Sequence, residues 1–242
     1  MSDKSFKYLD LLNSEQKKAV EKTQGSLLVL AGAGSGKTKV LTTRIVWLIS
    51  TGKVNTGSIL AVTFTNKASK EMLLRISSIL PYNLKGMWIG TFHGLCNRML
   101  RMHHKDAALP ESFQILDIQD QLSSIKRLMK IKNIDPEIIV PKDVQRFINS
   151  AKEQGLRSKD IDDSEGFNRK YIDLYEAYDD QCQREGVVDF GELLLRSLEL
   201  LQRNNELRLH YQTRFKQLIT STTIKNFLQP LWQMCGGDAV TA

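Results

Sequence analysis

The eight residues AGAGSGKT, Ala31 to Thr38, have the types and spacing to hold a triphosphate. Small side chains at Ala31, Gly32, Ala33, Gly34, Ser35 and Gly36 let the backbone curl until its N–H groups face a phosphate. A helix starting just after them adds the positive end of its dipole. Lys37 would reach the β- and γ-phosphates, and the Thr38 hydroxyl would hold Mg²⁺. Gly34 and Gly36 supply the unusual backbone angles. Ala31 stands where the general pattern has glycine. The motif is credible only between a strand and a helix. Here the apolar run Leu27 to Leu30 precedes it, and Val40, Leu41, Ile45, Leu48 and Ile49 follow at helical spacing.

The same plan recurs twice. SILAVTFTNKASKEM predicts a strand from Ile59 to Phe64 and a helix from about Lys67. GMWIGTFHGLCNRML predicts a third strand and helix. Continuous apolar strands alternating with helices give an α/β fold with a parallel sheet covered on both faces. Such sheets bind ligands at the carboxyl ends of their strands. Thr63, Phe64, Thr65 and Asn66 stand at one strand end, and Thr91, Phe92 and His93 at another. Phenylalanine rings can stack on bases without reading sequence, and hydroxyls and histidine can hold phosphates. Equally, both rings can be strand-end core. After Leu109 the pattern changes to helical periodicity for about 100 residues. Pro141 marks a helix start, Gly155 and Gly186 lie past helix ends, and Asp189 is placed as an N-cap. RFKQLI then returns to a strand.

Bulk composition sets the class. The chain has 242 residues, 41% hydrophobic and 25% charged, which is ordinary soluble globular composition. A net charge of +7 suits a polyanionic partner without demanding one. Cys96, Cys182 and Cys235 are odd in number and scattered, which reads as a reduced cytosol. The polar N-terminus has no signal-peptide core, and no apolar run is long enough for a membrane span. His103 and His104 read as a solvated helix end, and DIDDSEG as a polar loop. The lysines and arginine of SSIKRLMKIK read either as a solvated helix face or as a patch on duplex nucleic acid.

Taken with LLNSEQKKAV, ILAVTFTNKASKEM, WIGTFHGLCNRMLR, FQILD, INSAKEQGLR and VDFGELLLR, the phosphate loop resembles that of superfamily 1 DNA helicases of the UvrD/Rep/PcrA type. The resemblance covers about residues 10 to 217. It implies a RecA-like P-loop NTPase core over 1–109, an inserted all-helical subdomain over 110–212, and a return to the core over 213–242. It further implies ATP and Mg²⁺ as cofactors, with Gln16 reading the adenine edge. Single-stranded DNA and single/double-strand junctions are the implied partners, lying against the TFTN and TFH segments. Lys39 stands where relatives carry an arginine that packs near the adenine, and it lacks the flat guanidinium. A cytoplasmic, nucleoid-associated protein of DNA repair or replication is the implied setting.

One departure bears on catalysis. The family has a strand ending in Asp-Glu after RFKQLI, the Asp holding Mg²⁺ and the Glu polarising the attacking water. Here Ser221 and Thr222 fall at those places, and no acid lies between Glu206 and Asp238. About three would be expected from the overall acid content. A hydroxyl is no carboxylate base near neutral pH. If residues 220–226 are encoded ACG-TCG-ACG-ACT-ATC-AAG-AAY, the frame displaced by two bases reads Val-Asp-Asp-Tyr-Gln-Glu, close to the missing motif. A diverged relative and a cloning artefact are the alternatives, and the nucleotide sequence decides among them. The family's second RecA-like lobe, with its arginine finger, has no counterpart before Ala242. The expectation is therefore an ATP-binding helicase portion with negligible hydrolysis. A catalytically dead module that binds single-stranded DNA or a partner is the alternative. An unrelated P-loop kinase is disfavoured by the paired TFTNKAS and GTFHGL segments.

Overall fold

The computed structural model describes residues 6–22, 25–30, 32, 34–80, 84, 86–163, 166, 169–220 and 234–241. In chain order the elements are α1 (Ser14–Glu21), β1 (Leu27–Leu28), α2 (Lys37–Ser50), β2 (Ile59–Thr63), α3 (Asn66–Ile79), β3 (Trp88–Thr91) and α4 (Phe92–Met102). Then come β4 (Gln114–Ile115), α5 (Ile118–Ile131), α6 (Pro141–Glu153), α7 (Arg169–Glu185), β5 (Val187–Val188) and α8 (Phe190–Arg203). The last are α9 (Asn205–Arg214), β6 (Phe215–Thr220) and β7 (Cys235–Thr241). Two compact units result, one of residues 1–95 with 204–242 and one of residues 96–203. The divisions fall inside α4 and between α8 and α9.

The first unit is built on a parallel sheet of order β1-β7-β6-β2-β3. All five residues of β2 are buried, as a central strand of a parallel sheet requires. Leu41, Ile45 and Leu48 of α2 and Met72 and Ile76 of α3 pack with Ile59, Ala61 and Ile219 of the sheet. Trp88 of β3 meets Tyr211 of α9 and Phe215 of β6 edge-on, at 5.6 and 5.3 Å between centroids. Strand β7 lies between β1 and β6, with Ile219 opposite Val240 and Thr220 opposite Thr241. At Gly236 a Cβ would collide with the Gln212 carbonyl, so this backbone approach admits glycine alone.

Among the described residues the second unit has helices and one two-residue parallel pair, Gln114 opposite Val187 and Ile115 opposite Val188. Strands so short show no alternation, which is why the sequence pattern reads as helical throughout. Ile125, Leu128 and Met129 of α5, Val144 and Ile148 of α6, and Tyr175 and Tyr178 of α7 form the core. Pro141 opens α6, and the Glu192 N–H donates to Asp189 Oδ1 at 2.7 Å, the N-cap expected before α8.

The segments INSAKEQGLR and VDFGELLLR meet in a buried ion cluster. Lys152 Nζ lies 3.0 Å from Asp179, 2.9 Å from Asp189 and 3.0 Å from Glu192. Arg157 bridges Asp179 at 3.0 Å, Glu192 at 2.8 Å and Glu199 at 2.8 Å. Arg196 donates to Glu192 at 2.7 Å, and the Tyr178 hydroxyl to Asp189 at 2.9 Å. Burial works against the charge on Lys152, but Asp189, Glu192 and Asp179 outweigh it and hold the ammonium well above its ordinary range. Glu192 is held well below the usual carboxylate range. Burial alone would raise it, and Lys152 and Arg157 overcome that. The cluster ties α6, α7 and α8 together through charge, in a place where the sequence shows only scattered Lys, Arg, Asp and Glu.

The Cys96 and Cys182 thiols are both pushed up to about 12 by burial, so neither is a nucleophile near neutral pH.

Candidate functional site

The phosphate loop leaves β1 and enters α2 through glycines in the left-handed region. Gly34 has φ +77° and Gly36, the N-cap of α2, has φ +85°. No acid stands in the first turn of α2 to offset its positive end. Lys37 is the first helical residue, and its ammonium donates to the Gly32 carbonyl at 2.7 Å. The Ser35 hydroxyl donates to the same oxygen at 2.7 Å. Thr38 is partly exposed in the first turn, and its carbonyl accepts from the Thr42 hydroxyl at 2.9 Å. Ala31 and Ala33 lie outside the described residues.

Gln16 is tied to this loop. Asn13 and Gln16 form a capping box at the start of α1: the Gln16 N–H donates to Asn13 Oδ1 at 2.9 Å, and the Asn13 N–H to Gln16 Oε1 at 3.1 Å. The other end of the amide, Nε2, donates to the Ser35 carbonyl at 3.0 Å. A Cβ at Gly36 would stand 3.0 Å from that nitrogen, so a side chain there would push the Gln16 amide aside in addition to straining φ. Lys39 donates to the Leu11 carbonyl at 2.5 Å. That contact has no signal in the sequence, because a main-chain acceptor 28 positions away leaves no residue-type pattern.

All five strands run parallel, so their carboxyl ends share one edge of the sheet. The phosphate loop follows β1, the segment Phe64 to Asn66 follows β2, and Phe92 and His93 follow β3. Strand spacing places the β1 and β2 ends about 14 Å apart along that edge. Thr63 and Thr91 are register partners, so the two later segments leave the sheet side by side.

Their side chains divide into different roles. Phe64 is 77% exposed, whereas Phe92 is 8% exposed and lies in the core. The Thr63 hydroxyl is buried and donates to the Thr65 carbonyl at 3.0 Å. Thr65 caps α3 by accepting the Ala68 N–H at 3.1 Å, and Thr91 accepts the Gly94 N–H at 3.2 Å. Each cap oxygen is engaged by the backbone while its O–H can still be donated. Asn66 is exposed at the start of α3. His93 is half-buried, and burial lowers its pKa, so it is a neutral hydrogen-bonding group at pH 7. Ser221 and Thr222 lie outside the described residues, and β6 ends at the buried Thr220 immediately before them.

The amino-acid sequence matches a known family. The model of the UvrD/REP helicase N-terminal domain covers residues 12–220. The chain belongs to the UvrD/REP helicase family. It is 50% identical over 216 residues to the DNA helicase II of Haemophilus influenzae, covering 87% of this chain and 30% of that protein. It is 46% identical over 233 residues to the DNA helicase II of Escherichia coli, covering 95% and 32%. With the ATP-dependent DNA helicase PcrA of Bacillus subtilis it shares 38% identity over 216 residues, covering 88% and 29%. The chain thus spans about a third of the length of these curated relatives. The parallel core with its helical second unit is the N-terminal helicase region expected from the motifs.

Proposed function

We propose that this chain is the N-terminal ATP-binding region of a UvrD-like, ATP-dependent 3′–5′ DNA helicase of repair or replication. It holds ATP–Mg²⁺ at residues 31–38 and single-stranded DNA, up to a junction with duplex, at the Phe64 edge. One observation carries the reading: the phosphate loop and Phe64 follow parallel strands of one sheet and so share its carboxyl edge.

The donor set suits a triphosphate. An ammonium, an acid-free helix start and a glycine-capped turn converge there. A bound nucleotide would take Lys37 from the Gly32 carbonyl, exchanging a neutral acceptor for a charged one. Mg²⁺ would screen phosphate charge, with the Thr38 hydroxyl as its side-chain ligand. Gln16 sits within reach of the loop and would report the base to it through Ser35. Phe64 offers a ring face for base stacking, and Thr65, Thr91 and His93 would donate to phosphates. The cytoplasm, about the nucleoid, is the setting this substrate requires. No described helix is long and apolar enough to cross a membrane.

The empty stretch between Glu206 and Asp238 favours binding without turnover. This chain is expected to bind a fluorescent ATP analogue in the presence of Mg²⁺, and to release phosphate no faster than buffer, with or without single-stranded DNA. Phosphate release stimulated by DNA and lost in Lys37→Ala would overturn that part of the proposal.

A further inference from the structure

In the helical unit a groove of about 710 Å³ lies between the end of α5 and the start of α6. Met129, Ile134, Pro136 and Pro141 give it an apolar lining, and Lys126 and Lys130 stand on its rim. The two lysines are one helical turn apart on α5, hence on one face. Among the described residues neither ammonium has an ion pair. Neighbouring Arg127, by contrast, is paired with Glu185 at 3.1 Å. The one acid in the lining, Asp135, accepts the Glu137 N–H at 2.9 Å and so holds its own turn.

The wall opposite α5 is preformed. Asn133 takes a left-handed turn at φ +51°, the Ile134 N–H donates to the Met129 carbonyl at 2.9 Å, and the Ile139 N–H to the Asp135 carbonyl at 3.0 Å. Along this short stretch Ile131, Ile138 and Val140 are left exposed, at 69%, 73% and 43%. Apolar surface of that kind, rimmed by charge, marks an interaction site.

We infer that this groove docks an acidic, amphipathic peptide segment of a partner protein. Its apolar residues would enter between Met129 and Pro141, and its carboxylates would pair with Lys126 and Lys130. Charge complementarity sets the sign of the partner, and the apolar lining sets its class. A duplex backbone offers phosphates to the lysines but nothing to Met129, Ile134, Pro136 or Pro141. A peptide helix with anchors at one-turn spacing uses both.

The test uses the whole chain and fluorescein-labelled synthetic peptides of about twelve residues. One peptide carries Leu and Phe at helical spacing with Glu between them. A second has Ser for every Leu and Phe, and a third has Lys for every Glu. Anisotropy is expected to show binding of the first peptide, at least about ten-fold tighter than either of the others. The double variant Lys126→Glu with Lys130→Glu, whose changes lie on an exposed rim, should lose the first peptide and gain the third. Absence of binding by the first peptide would overturn the inference. So would equal binding of the Ser-substituted peptide, or displacement of the first peptide by short duplex DNA at equal charge. Either of those results would make the groove a polyanion patch.

Discussion

Lys152→Met should lower the stability of this chain by about 3–5 kcal/mol, the largest effect expected of any single substitution outside the apolar core. The ammonium is almost fully buried and touches Asp179, Asp189 and Glu192 at 2.9–3.0 Å. Without it three carboxylates face one another, with Arg157 and Arg196 left among the described residues to compensate. Leaving a buried charge uncompensated costs more than the pair itself contributes. Urea unfolding followed by far-UV circular dichroism measures the loss. The same cluster sets an acid limit. Glu192 is depressed in the folded state, so its contribution is present above the unfolded carboxyl pKa of about 4.3 and is lost as pH falls below it. Asp179 works in the opposite sense. Its burial raises its pKa more than Lys152 lowers it, which offsets part of the gain at neutral pH. Glu192→Gln should therefore flatten the acid limb of the stability profile. An unchanged urea midpoint in Lys152→Met would show that the cluster does not carry the helical unit.

Lys37→Ala should weaken binding of a fluorescent ATP analogue about ten- to a hundred-fold, the loss expected for a hydrogen bond to a charged group. The fold should be untouched, because the side chain is only partly buried and donates to the Gly32 carbonyl of its own loop. Equilibrium titration gives the ratio, and circular dichroism gives the control. Affinity within two-fold of the parent, on the order of experimental scatter, would mean that Lys37 does not reach the phosphates.

Where the sequence was legible, local chemistry decided the structure. The loop glycines, the five buried residues of β2, the helix start at Pro141 and the Asp189 cap all follow from residues a few positions apart. Long-range pairing was not legible. Strand β7 reads CGGDAVT, with no sustained apolar run, and it becomes a strand because β1 and β6 leave a place between them. Phe64 and Phe92 look equivalent, each following a Thr at a strand end. They part because α4 begins at Phe92, which puts the ring on the buried stripe with Leu95 and Met99. Phe64 instead precedes the Thr65 cap and lies outside α3, so its ring faces solvent. The ion cluster was hidden for a similar reason. Charged residues on an isolated helix look solvated until three helices close over them.

The central claim is that one sheet edge carries two separable sites. Binding of a fluorescent single-stranded oligonucleotide and of a fluorescent ATP analogue, measured on Phe64→Ala and Lys37→Ala side by side, tests it most directly. Phe64→Ala is predicted to lose about 1–3 kcal/mol of oligonucleotide binding and keep the nucleotide, while Lys37→Ala loses the nucleotide and keeps the oligonucleotide. Oligonucleotide binding unaffected by Phe64→Ala, or lost equally in both variants, would contradict the account.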